Sequence, residues 1–184
     1  MAYTLDAFCR DCAASLRGDP GSGGKERVRQ DLERLLADAA FLAKHCGPDA
    51  EQGVHVLYRD PDLGFCVLAH INREPRRSPP HDHGSSWAIY GQATAYTDMT
   101  EYRRLDGGSG PGAARLEVAR RYRLEPGQAG LFDVGAIHAI AYGADARFVR
   151  VTGADLEQVP RLKFDLEEGT ADLVESATMQ RVSA

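Results

Sequence analysis

The chain has 184 residues, of which 43% are hydrophobic and 27% charged, an ordinary globular balance that suits one domain and argues against disorder along its whole length. Lys and Arg number 22 against 27 Asp and Glu, so the formal charge is −5. A net acidic surface gives no general reason to expect nucleic acid or an anionic membrane as partner. No apolar run approaches the roughly 20 residues that span a bilayer, and the N-terminus lacks the basic start and apolar stretch of a signal peptide. The expected location is the cytoplasm, where the four cysteines (Cys9, Cys12, Cys46 and Cys66) stay reduced. Cys9 and Cys12 form a lone CxxC. With His45 and Cys46 it could make a four-ligand zinc set, but two small apolar residues on one helical face is the preferred reading.

Residues 4–17 place Leu5, Phe8, Cys9, Cys12 and Leu16 at steps of three and four, which predicts an amphipathic helix. Asp19-Pro-Gly-Ser-Gly-Gly breaks it. A second helix is expected over 24–46, with Val28, Leu32, Leu35, Leu36, Ala39, Leu42 and Cys46 as its stripe and Gly47-Pro48 as its stop. From residue 53 the period changes to that of strands. Candidate strands are 53–59, 63–72, 86–105, 116–124, 129–133, 137–142, 147–152 and 160–166, separated by Gly- or Pro-containing turns. Many short strands without intervening helices predict an all-β core, an antiparallel sandwich or barrel, with two α-helices before it. Residues from about 170 onward are polar and expected to be poorly tied down. Gly107-Gly-Ser-Gly-Pro-Gly is a loop tip, since no helix start or Lys-Ser/Thr follows it.

Two segments carry chemistry. In Pro79-Pro80-His81-Asp82-His83-Gly84 the two histidines stand at i and i+2, so on a strand they point to one face and can share a metal ion. In Gly127-Gln-Ala-Gly-Leu-Phe-Asp133-Val-Gly135-Ala-Ile-His138 a third histidine follows a tight turn inside an apolar strand. A buried histidine must satisfy both nitrogens or ligate something. His55 and His70 are expected to be half-exposed or hydrogen-bonded strand residues, and Asp98 and Glu101 solvated ones.

These two segments resemble the cupins. The usual second cupin motif reads G-x5-P-x-G-x2-H-x3-N, and here Gly127, Gly135 and His138 stand in register, with Asp133 for the Pro and Tyr142 for the Asn. The first motif keeps His81 and His83, but Pro75 replaces its Gly, and Trp87 and Ala88 stand where a Glu is usual. The resemblance implies a cupin double-stranded β-helix, or jelly-roll barrel, over 51–168, a helical extension packed on it over 1–50, and a tail over 169–184.

A three-His site without the Glu is similar to that of the thiol dioxygenases, the group of cysteine dioxygenase and 3-mercaptopropionate dioxygenase. That similarity implies Fe(II) held by His81, His83 and His138, with Zn, Ni or Mn also able to occupy such a site in a purified sample. It implies a small carboxylate-bearing thiol and dioxygen as reactants and a sulfinic acid as product. Arg59 resembles the arginine that holds the substrate carboxylate, and Arg150 could serve instead. Tyr90 or Tyr142 could steady bound oxygen, and Trp87 is expected to be a wall of the site. There are departures from the family. Ala88 stands where animal-type enzymes carry a crosslinking cysteine, and Phe148-Val-Arg150-Val-Thr152 replaces the family's Ser-x-His-x-Tyr. Two alternatives stand beside this reading. One is a three-His cupin that cleaves carbon–carbon bonds of diketones or diols with dioxygen. The other is a non-catalytic, metal-dependent small-molecule-binding cupin. Exposed barrel edges or the N-terminal helices could pair chains into a homodimer.

Overall fold

The structure is a computed structural model and describes residues 3–175. Three helices come first: α1 (Leu5–Gly18), α2 (Ser22–Leu36) and α3 (Ala39–Cys46). The expected single helix over 24–46 is therefore two. The apolar stripe continues across the break, but Asp38 leaves the helical conformation and its carboxylate accepts from the Phe41 N–H at 2.8 Å, capping a new helix. Thr4 caps α1 in the same way through the Ala7 N–H. No helix among the described residues is long and apolar enough to cross a membrane.

Twelve strands follow: β1 (Gly53–Arg59), β2 (Cys66–Ile71), β3 (Arg76–Arg77), β4 (Ala88–Thr94), β5 (Thr97–Arg104), β6 (Gly112–Ala113), β7 (Leu116–Leu124), β8 (Ala129–Phe132), β9 (Ile137–Tyr142), β10 (Arg147–Thr152), β11 (Arg161–Asp165) and β12 (Thr170–Val174). All the pairings between them are antiparallel. One sheet has the order β1-β2-β10-β4-β8, a second β3-β9-β5-β7, and a third β11-β12-β6. This is an all-β jelly-roll barrel of antiparallel sheets with N-terminal helices. The short β3 and β6 carry no sequence signal of their own. Residues 170–174, expected to belong to the loose tail, pair along their length with β11; residues 176–184 lie outside the described residues.

Strand alternation assigns the two faces of the five-stranded sheet. Val67, Ala69, Ile71, Ile89, Val149 and Val151 pack with Phe8, Val28, Leu32 and Leu35 of the helices. Ala88, Tyr90 and Phe148 point the other way and pack with Met99, Leu124, Phe132 and Tyr142 from across the barrel. The helices thus cover one face and leave the other as the barrel interior. Gly91 permits the close approach, since a Cβ there would lie 2.7 Å from both Leu32 and Leu36. Helix α2 also closes the edge strand β8: Glu33 accepts from the Ala129 N–H at 3.0 Å and Arg29 donates to the Ala129 carbonyl at 3.2 Å.

Trp87, expected as a wall of the site, joins the helix-side core instead and closes over Gly153, where a Cβ would lie 2.4 Å from the indole nitrogen. All four cysteines are free and buried. Among the described residues Cys9, Cys12, His45 and Cys46 do not converge into a metal-binding group.

Candidate metal centre

The segment 79–84 crosses the barrel between β9 and β11. It forms an isolated bridge at His81 rather than a full strand. His81 exchanges both backbone hydrogen bonds with His138, each 2.9 Å long. Asp82 points the opposite way, and its carboxylate accepts from the Leu162 N–H at 2.8 Å and the Gly84 N–H at 3.0 Å. Gly84 completes the turn at φ +59°, and a Cβ there would lie 2.0 Å from the Pro160 carbonyl oxygen. Asp82 and Gly84 therefore fix the rotation that turns His81 and His83 inward together.

The three imidazoles meet inside the barrel. Their potential donor atoms all lie within 4.8 Å of one another. Ring centres are 4.7 Å apart for His81 and His138, 4.9 Å for His83 and His138, and 5.5 Å for His81 and His83. The His81 Nδ1 donates to the Pro79 carbonyl at 3.0 Å, which fixes its tautomer and leaves Nε2 as the free donor atom. Nδ1 of His83 and both nitrogens of His138 are buried with no hydrogen-bond partner. Burial pushes the His83 imidazole down to about 3, helped by the neighbouring His81 and Arg150, and holds His138 well below the ordinary histidine range. All three rings are thus neutral at pH 7, the form that ligates metal. Orphaned buried nitrogens, neutral rings and convergent donors fit a metal ion, and imidazole donors suit Fe, Zn, Cu or Ni.

Aromatic rings wall the centre. Phe132 lies 4.0 Å and Tyr90 5.4 Å from the His138 ring, centre to centre, and the Tyr90 hydroxyl stands 3.3 Å from Nε2 of His83. Tyr142 is turned away: its hydroxyl donates to the Asn72 side chain at 2.9 Å. Arg59 is exposed and ion-paired with Asp155. Arg150 lies opposite Tyr90 on β4 and Leu68 on β2, on the interior face, with its Nε buried and unpartnered. Its positive charge adds to burial in lowering all three histidines. The structure thus gathers His81, His83, His138, Tyr90 and Arg150, and leaves Arg59 and Tyr142 on other partners. Sequence reasoning passed over Asp82, whose side chain sets the turn; His70, expected as a half-exposed or hydrogen-bonded strand residue, shares the interior face with Phe148 and has its Nε2 buried without a partner.

No family model matches the chain, and no curated protein does. Solved structures similar to it include KdgF from Halomonas sp. (13% identity, TM-score 0.41, covering 54% of this chain and 74% of that one). Others are the Cnp3 cupin domain of Schizosaccharomyces pombe (10%, 0.44, 59% and 66%) and the hydroquinone 1,2-dioxygenase PnpCD in complex with Cd2+ and 4-hydroxybenzonitrile (11%, 0.43, 66% and 74%). At these values the likenesses carry nothing about metal or substrate.

Proposed function

We propose that this protein is a mononuclear Fe(II) dioxygenase that oxidises a small carboxylate-bearing thiol to its sulfinic acid. The observation that carries the reading is the set of three neutral, convergent imidazoles, with Nδ1 of His83 and both nitrogens of His138 unpartnered, in a barrel interior that also holds the Arg150 cation. The overall change is RS⁻ + O₂ → RSO₂⁻: sulfur is oxidised, dioxygen is reduced, and both oxygen atoms end on sulfur.

His81, His83 and His138 would hold the ion. Three neutral ligands would leave its charge uncompensated, and a ferrous ion there would supply redox exchange with dioxygen and affinity for a thiolate. The chain's own residues do the rest. Arg150 offers a permanently charged fork to the carboxylate, an interaction that sets which end of the thiol enters first. The Tyr90 phenol, beside His83, holds a proton that can be donated to a small molecule at the centre. Phe132 and Phe148 exclude water from the site. The aromatic lining favours one alternative, an aromatic diol cleaved with dioxygen.

The test is dioxygen uptake by protein reconstituted anaerobically with Fe(II), with cysteine, 3-mercaptopropionate, mercaptosuccinate, cysteamine and catechol as candidates. Uptake with a carboxylate-bearing thiol, matched one to one by sulfinate, is the expected result. Arg150→Leu should then lower kcat/KM about 100-fold, or about 2.7 kcal/mol, while Arg59→Leu stays within threefold. Uptake with catechol alone would select the diol reading, and no uptake with any compound would overturn the dioxygenase.

A further inference from the structure

β2 and β10 pair antiparallel, with Phe148 opposite His70 and Arg150 opposite Leu68. His70 and Arg150 are therefore diagonal neighbours on the interior face, a relation in which long side chains reach each other. The His70 ring is fixed by near-parallel stacking on Phe148, with centres 4.6 Å apart and planes 15° from parallel. Its Nε2 is buried without a hydrogen-bond partner, as is the Nε of Arg150. Two orphaned polar atoms on one buried face are costly unless something accepts from them. His70 is not among the convergent donors of the metal centre, so the missing partner is not that ion.

We infer that His70 and Arg150 together form the anion-binding pole of the barrel, taking one carboxylate oxygen each from the substrate. In the tautomer with its proton on Nε2, His70 donates to one oxygen and Arg150 donates to the other. Burial keeps the ring neutral, with the charge of Arg150 acting in the same direction, so one N–H is always present. His70 stacks on Phe148, and Phe148 touches Tyr90, the ring beside His83 and His138, so the substrate carries its thiol and its carboxylate at opposite ends. The identity of the anion rests on the proposed thiol chemistry; the pairing of His70 with Arg150 rests on the barrel geometry.

The test is calorimetric titration of the Zn(II)-loaded full chain, which binds but cannot oxidise, with 3-mercaptopropionate and with cysteamine, which lacks the carboxylate. His70→Leu should weaken 3-mercaptopropionate about tenfold and leave cysteamine within twofold. His70→Gln, which restores a donor, should recover most of the loss. Because both residues hold one anion, Arg150→Leu should leave little for His70→Leu to remove in the double variant. An unchanged affinity for 3-mercaptopropionate in His70→Leu overturns the pole. So does an equal loss for both thiols, no rescue by Gln, or no preference of the unsubstituted protein for the carboxylate. His70-dependent binding without dioxygen uptake by the Fe(II) form would instead sink the oxidation reading and leave the pole standing.

Discussion

His81 and His138 form a hydrogen-bonded antiparallel pair, each backbone N–H donating to the other's carbonyl at 2.9 Å. In such a pair the two side chains leave one face about 5.5 Å apart at Cα. Two ligands from distant parts of the chain are thereby set at metal-sharing distance by main-chain geometry alone. His83 then needs only the two-residue alternation past Asp82 to join them.

Because that frame is backbone, removing one imidazole should cost metal and not fold. His138→Ala and His83→Ala should retain less than a tenth of the iron or zinc that the unsubstituted protein keeps after loading and desalting. Metal analysis with circular dichroism on the same samples checks this. Stoichiometric metal in either variant would refute the centre.

The two tyrosines should separate cleanly. Tyr142→Phe loses the bond to Asn72, so it should cost about 0.5–1.5 kcal/mol of stability and leave kcat unchanged. Tyr90→Phe removes the hydroxyl beside His83 and should lower kcat about tenfold, or about 1.4 kcal/mol. Urea melts and steady-state rates on both variants decide it, and a Tyr142→Phe enzyme as slow as Tyr90→Phe would contradict the placement.

Much of this was legible in the sequence, and the rest failed for identifiable reasons. The stripe of α1 and the alternation of β1 mark their elements. The run expected over 86–105 is two strands, β4 and β5, because the chain reverses at Ala95, whose φ is +54°. The break at Asp38 was hidden because Leu36, Ala39 and Leu42 keep the apolar rhythm across it. β12 was missed because Thr170-Ala-Asp-Leu-Val is short and buries only the small Ala171, leaving Leu173 exposed, so it is held by its neighbours. The histidines stood out through spacing and turn glycines. The choice between Arg59 and Arg150 did not. Val149 and Val151 show that Arg150 faces away from them, but which face is interior depends on where the helices pack. The Asn72 partner of Tyr142 and the orphaned His70 are products of register between distant strands.

The seam between helix and sheet should be intolerant of volume. Gly91→Ala would press a methyl group against Leu32 and Leu36, both buried. Overpacking of this kind costs roughly 1–3 kcal/mol. The expected outcome in a urea melt is a lower midpoint with unchanged slope, and Leu32→Ala added to Gly91→Ala should recover less than Leu32→Ala costs alone. An unaltered midpoint for Gly91→Ala would mean that α2 does not press on the sheet there.

Asp133 stands where the cupin motif has proline, and its carboxylate takes a 2.6 Å ion pair from Lys25, a buried residue of α2. The same oxygen accepts from the Val134 N–H at 2.8 Å, so the aspartate ties the helix to the turn that leads into His138. The Lys25 hydrogen bond holds the Asp133 carboxyl below its ordinary 3.8. The folded protein thus binds fewer protons here than the unfolded chain. The stabilisation is complete above pH 3.8 and is lost as pH falls through the lowered folded value. Asp133→Asn keeps the Val134 contact and removes the charge. It should cost roughly 1 kcal/mol at pH 7, a modest figure because the carboxylate is half exposed. Urea midpoints of both proteins at pH 7, 4.5 and 3 should show a gap that is nearly constant across the first two and narrower at the third. A gap undiminished at pH 3 would mean that the aspartate acts through packing and not through its charge.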